Sequence, residues 1–193
     1  MKNFFKSLFV NKTSHEEKKV ERQYPQFRDL KEISGLYYIE GSDEPYTGIT
    51  ESYLDNKLLS RERLKNGKID GLWEMWSTDT GFIFRRETFK EGMNNGLEET
   101  FHDSGEIWVR KTFVEDKRHG PEEHYDKYGT LEMRMEYEDD KEHGLSEIFY
   151  SDFHGLSPGD RGYGKLYSKS LYKEGDRLWR EEFDLDGNMT RRD

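Results

Sequence analysis

Residues 96–113 read "GLEETFHDSGEIWVRKTF", and their spacing decides the fold. Leu97-x-Glu99-x-Phe101 alternates with period two, as does Ile107-x-Val109-x-Lys111-x-Phe113. That alternation is the signature of a half-buried strand. Between the two halves stands "HDSGE", a cluster of turn residues. The stretch therefore predicts a strand, a tight turn and a second strand.

The same text recurs along the chain. Gly48, Gly71, Gly96, Gly120 and Gly144 are separated by 23, 25, 24 and 24 residues. Three positions after each comes a glutamate: Glu51, Glu74, Glu99, Glu123 and Glu147. Five positions after each comes an aromatic: Tyr53, Trp76, Phe101, Tyr125 and Phe149. A degenerate sixth row supplies Glu181 and Phe183 in the same columns. After a turn slot at Asn56, Gly81, Gly105, Gly129 and Gly164, an apolar residue follows two later (Leu58, Ile83, Ile107, Leu131, Leu166) and a larger one eight later (Leu64, Phe89, Phe113, Tyr137, Tyr172). The glycines suit turns that need positive φ, both inside the hairpins and at the junctions "KNGKIDG", "EGMNNG" and "EDDKEHG". A hairpin of 24 residues cannot bury its own apolar face, so neighbours must stack. The expected fold is all-β: an elongated, twisted antiparallel sheet of about six stacked hairpins and about twelve strands. It occupies residues 35–193, behind a short leader, helical or disordered, at 1–34.

Composition narrows the function classes. The chain has 193 residues, with 31 Lys and Arg against 41 Asp and Glu, a net charge of −10. That balance disfavours nucleic-acid backbones and anionic lipid as partners and favours a basic protein. Only 32% of residues are apolar and 37% are charged, near the composition of disordered chains, yet 28 residues are aromatic. A few large core positions suit a thin, extended sheet. Cysteine is absent, which excludes disulfides and thiol chemistry. The leader "MKNFFKSLFV" has Phe4, Phe5, Leu8 and Phe9 at helix-like spacing but no sustained apolar core and no small-residue cleavage site. A cytoplasmic location is the expectation. The leader reads as frayed, as a docking helix, or as a weak membrane-surface helix.

The phrase "GKIDGLWEMW" and the junctions "KRHG" and "KEHG" resemble MORN repeats, specifically the bacterial variant found in YwqK-type antitoxins. "PYTG" at 45–48 looks like the opening of such an array, and the resemblance covers Leu36 to Met189. It implies MORN-like hairpins and a function in binding and neutralising a partner.

Chemical motifs are few. The aromatic columns read as cross-strand ladders forming the core. The glutamate column reads as carboxylates accepting hydrogen bonds from backbone, a Tyr hydroxyl or a neighbouring Arg, or as an acidic stripe for a basic partner. Equivalent strands of successive hairpins lie roughly 9–10 Å apart, twice the strand spacing, too far for carboxylates to share a proton. His119 and His143, each before a row glycine, read as turn residues, and no compact metal-ligand set appears. No nucleophile motif or phosphate loop is present. Neither metal nor cofactor nor enzymatic activity is expected.

Two features depart from the repeat. In the middle rows, Glu98 and Glu122 belong to an acidic concentration interleaved with exposed-looking Trp108 and His124, a footprint for a cationic partner. In the fifth row, Phe149 to Gly164 is fifteen residues where the Phe101 and Tyr125 rows have four, an insertion of eleven. This inserted loop at 151–163 carries Asp152, Phe153, His154, Asp160, Arg161 and Tyr163, groups able to anchor an interface. It reads either as a recognition loop or as a mobile, functionless insertion. The expected function is a non-enzymatic, immunity- or antitoxin-like module that occludes a basic effector such as a nuclease toxin. The alternative is a repeat scaffold organising other proteins, possibly at a membrane surface.

Overall fold

The computed structural model describes residues 22–193. The first 21 residues of the leader, and the expectation of helix or disorder there, lie outside the described residues.

The strands form one long meander. A small hairpin, β1 (Leu30–Ile33) and β2 (Leu36–Ile39), precedes the array. Twelve strands follow: β3 (Gly48–Leu54), β4 (Lys57–Lys65), β5 (Lys68–Trp76), β6 (Ile83–Lys90), β7 (Met93–Phe101), β8 (Ile107–Val114), β9 (Lys117–Tyr125), β10 (Leu131–Glu138), β11 (Lys141–Phe149), β12 (Leu166–Lys173), β13 (Asp176–Phe183) and β14 (Met189–Arg192). They pair antiparallel in chain order as one sheet, so the six expected hairpins are present. Structure begins earlier than the expected boundary at residue 35. A 3-10 turn at Phe27–Asp29 and strand β1 lie within 22–34, and Gln26 bridges to Glu51, covering the outer edge of β3. That contact satisfies an otherwise open edge, since Glu51 N–H donates to the Pro25 carbonyl at 3.1 Å.

The turns divide by edge. One long edge carries two-residue turns, for example Asn66-Gly67, Glu115-Asp116 and Asp139-Asp140, with both residues at positive φ as type I′ requires. The opposite edge, here called the loop edge, carries the turn at Asp55-Asn56 and the longer connections from Ser77, His102, Asp126, Tyr150 and Asp184. The row glycines correct the expectation of a turn. Gly71, Gly96, Gly120 and Gly144 lie inside β5, β7, β9 and β11. Gly96 has φ +125, where an L side chain is strained, and a Cβ there would crowd Thr88 Cβ at 3.1 Å. His119 and His143 are likewise strand residues, the latter 3.2 Å from a Glu138 carboxylate oxygen.

The register assigns columns to faces. One face carries Leu97, Glu99, Phe101 and their equivalents; across the strands its central column runs Glu51, Arg61, Glu74, Arg86, Glu99, Arg110, Glu123, Arg134, Glu147, Lys169, Glu181 and Arg192. Acid and base alternate on every strand. Arg61 donates to Glu51 at 2.7 Å and Arg110 to Glu99 at 3.1 Å, while the Tyr125 hydroxyl donates to Glu123 at 2.8 Å. The glutamate column is therefore paired internally and is not an acidic stripe.

Of the two expected columns of large residues, only the one holding Leu64 and Tyr137 supplies buried apolar side chains. The aromatic column beside this ladder is only half-buried, and the buried apolar residues Leu64, Val109 and Tyr137 lie on the opposite face. With them lie the buried carboxylates Glu62, Glu87, Glu98 and Glu122. Large residues of alternate strands are register partners of the row glycines, Phe89 of Gly71 and Phe113 of Gly96.

Candidate functional site

Of the acidic footprint expected at the middle rows, Glu98 and Glu122 are not on the surface, whereas Glu138, Asp139 and Asp140 are exposed. Glu98 is buried, and Arg85 Nη2 lies 3.1 Å from its Oε2. Arg85 also pairs with Glu87, directly across from Glu98 in the register, and Asn94 Nδ2 reaches both carboxylates. Burial raises the Glu87 carboxyl above its usual range; Arg85 opposes this and Glu98 adds to it. Glu122 is also buried. Burial would raise its pKa, but His124, Lys111 and Arg118 outweigh it and hold the carboxyl below the usual range. His124 Nε2 lies 2.8 Å from Glu122 Oε1, so His124 serves this carboxylate and is only half-exposed. A carboxylate committed to neighbours in the sheet has no free face for a partner. Trp108 does stand on the surface, 51% exposed, its ring 5.9 Å from that of His102.

Glu62 is a buried acid whose hydrogen bonds come from neutral side chains. Its carboxylate accepts from Ser60 Oγ at 2.6 Å and Thr50 Oγ1 at 3.0 Å. Burial pushes its pKa up to about 7 against those two hydrogen bonds.

The inserted loop is built from its anchors. Its first turn, Asp152–His154, is 3-10, closed by Gly155 N–H donating to the Asp152 carbonyl at 2.8 Å. Glu132 on β10 accepts from Ser151 Oγ at 2.8 Å and from Phe153 N–H at 3.3 Å. Asp152 pairs with Lys127 of the preceding loop at 3.0 Å. His154 sits against Tyr150 and Tyr167, with ring centroids at 5.2 and 4.9 Å, and burial lowers its pKa. Asp160 accepts from Ser157 N–H at 2.7 Å within the loop. On the other flank Arg161 grips Asp186 of the following loop with two nitrogens, Nε to Oδ1 at 2.9 Å. Gly162 packs on Leu185, where a Cβ would meet Leu185 Cδ2 at 2.6 Å. Tyr163 returns to the preceding loop, bonded to Asp126 and, at 2.9 Å, to Thr130 Oγ1.

The insertion is therefore tied to the loops on both sides. Asp152, His154, Asp160, Arg161 and Tyr163 are spent on holding it, and the exception is Phe153, 83% exposed at its surface. The anchors Asp126, Glu132 and Asp186 were not distinguishable in sequence. Asp126 and Asp184 share a turn slot, but nothing local marks which acid a loop 20 to 40 positions away will meet.

Among the described residues no group of three or more His, Asp or Glu is placed to hold a metal, and no helix is long and apolar enough to cross a membrane. No family profile matches the chain, and no curated protein matches it.

Proposed function

We propose that this chain is a non-enzymatic protein-binding module, immunity- or antitoxin-like, that neutralises a basic effector such as a nuclease toxin by occlusion. The observation carrying this reading is Phe153: a large apolar side chain almost wholly in solvent, on a loop held by an ion pair at each flank. A rigid, exposed aromatic makes contact at little entropic cost, which is what an interface anchor requires. The net charge of −10 supports a cationic partner and fast, steered encounter. With Glu98 and Glu122 buried, the acidic contact falls to exposed groups of the loop edge, among them Asp79, Asp103 and Glu106. The likeness of the rows to MORN-repeat antitoxins supports the same reading, and a cytoplasmic location accords with it.

The test is co-purification of the chain with the products of neighbouring genes, followed by replacement of residues 152–162 with a four-residue turn. Retained folding with weakened capture is the expected result. A panel of cationic toxins left fully active by excess protein would overturn the reading.

A further inference from the structure

Exposed apolar side chains gather on the loop edge of the first three hairpins. Leu54 precedes the β3–β4 turn, Phe82 lies in the β5–β6 loop, and Phe84 and Trp108 sit at the bulges beside the β5–β6 and β7–β8 loops; all four are exposed. Exposed acids stand among them: Asp55, Asp79, Asp103 and Glu106. Scattered surface hydrophobics need no explanation, but a run along one edge marks a surface that is covered in use.

The chain outside the described residues has the complementary chemistry. Residues 1–15 contain Lys2, Lys6 and Lys12 with Phe4, Phe5, Leu8 and Phe9, and no Asp or Glu. This head joins the array at the same edge. Arg22 lies 3.7 Å over the Tyr53 ring and donates to Asn56 Oδ1 at 3.3 Å, at the β3–β4 turn. The distances permit contact. Thirteen residues separate Phe9 from Arg22 and span at most roughly 45 Å, whereas β8, five strand spacings from β3, is about 24 Å away. A tethered segment meets its site at an effective concentration on the order of millimolar, so modest affinity suffices.

We infer that residues 4–9 dock on this patch, with their aromatic side chains against Phe82, Phe84 and Trp108 and their lysines beside the acids. The head is then an internal occupant of the loop edge, and a partner that uses these aromatics must displace it.

Because the chain has no cysteine, Ser7→Cys carries a single nitroxide in the full-length protein. Relative to the reduced label, the amide signals of Phe82 and Phe84 and the indole signal of Trp108 lose at least half their intensity, while Ser170 and Glu182 keep theirs. Tenfold dilution leaves the pattern unchanged, and Phe4→Ala, Phe5→Ala and Phe9→Ala together abolish it. Absence of selective loss overturns the inference, as does loss that fades on dilution or survives the triple substitution.

Discussion

The Tyr163 hydroxyl, at the end of the inserted loop, hydrogen-bonds to the carboxylate of Asp126, a residue 3% exposed and 37 positions earlier in the chain. The Asp126 carboxylate also accepts from the backbone N–H groups of Tyr128 and Thr130, so one acid organises its own turn and the insertion beside it. Tyr163→Phe removes one partner of a buried carboxylate, at a cost of about 1–3 kcal/mol. The midpoint of urea unfolding falls accordingly, and hydrogen exchange accelerates across 151–163 more than in the strands.

Phe153→Ala separates recognition from stability. The ring is almost fully in solvent, so unfolding free energy changes by less than about 0.5 kcal/mol. Partner affinity, measured by calorimetry or surface capture, falls at least tenfold, roughly 1.4 kcal/mol. Unchanged affinity moves the interface off this loop.

Glu62 makes stability pH-dependent in a defined window. Its folded pKa of about 7 lies above the ordinary 4.5, so the native state holds a proton that the unfolded chain releases. Stability is therefore highest below pH 4.5 as far as this group is concerned, and is lost as pH rises toward 7. The full effect is on the order of 3 kcal/mol. Glu62→Gln flattens this part of the profile and is more stable than the parent at pH 8, as denaturant melts at several pH values will read.

Arg85 is the counter-charge for two buried carboxylates. Arg85→Met leaves Glu87 and Glu98 facing each other across the β6–β7 pair and destabilises by about 2–4 kcal/mol at pH 7.5. Adding Glu87→Gln to that variant recovers part of the loss. A double-mutant cycle measures the coupling, and additive effects would refute it.

The paired acids also show why the fold was more legible than the site. Leu97-x-Glu99-x-Phe101 announces a strand because alternation is a local property, and the 24-residue period places each hairpin beside its copy. No local property distinguishes Glu98, buried beneath Arg85, from an exposed glutamate on a solvated face. Its environment comes from β6, thirteen residues back.

From sequence alone follow six hairpins, their order and the place of the insertion, since turns and period-two alternation act within a few residues. The tertiary structure decided which face holds the core, that the glutamate column alternates with bases, and that the insertion is anchored and not loose. Those outcomes depend on register and on contacts such as Lys127 with Asp152, Arg161 with Asp186 and Tyr163 with Asp126, between residues 25 to 37 apart. Only stacking of the hairpins brings such residues within bonding distance.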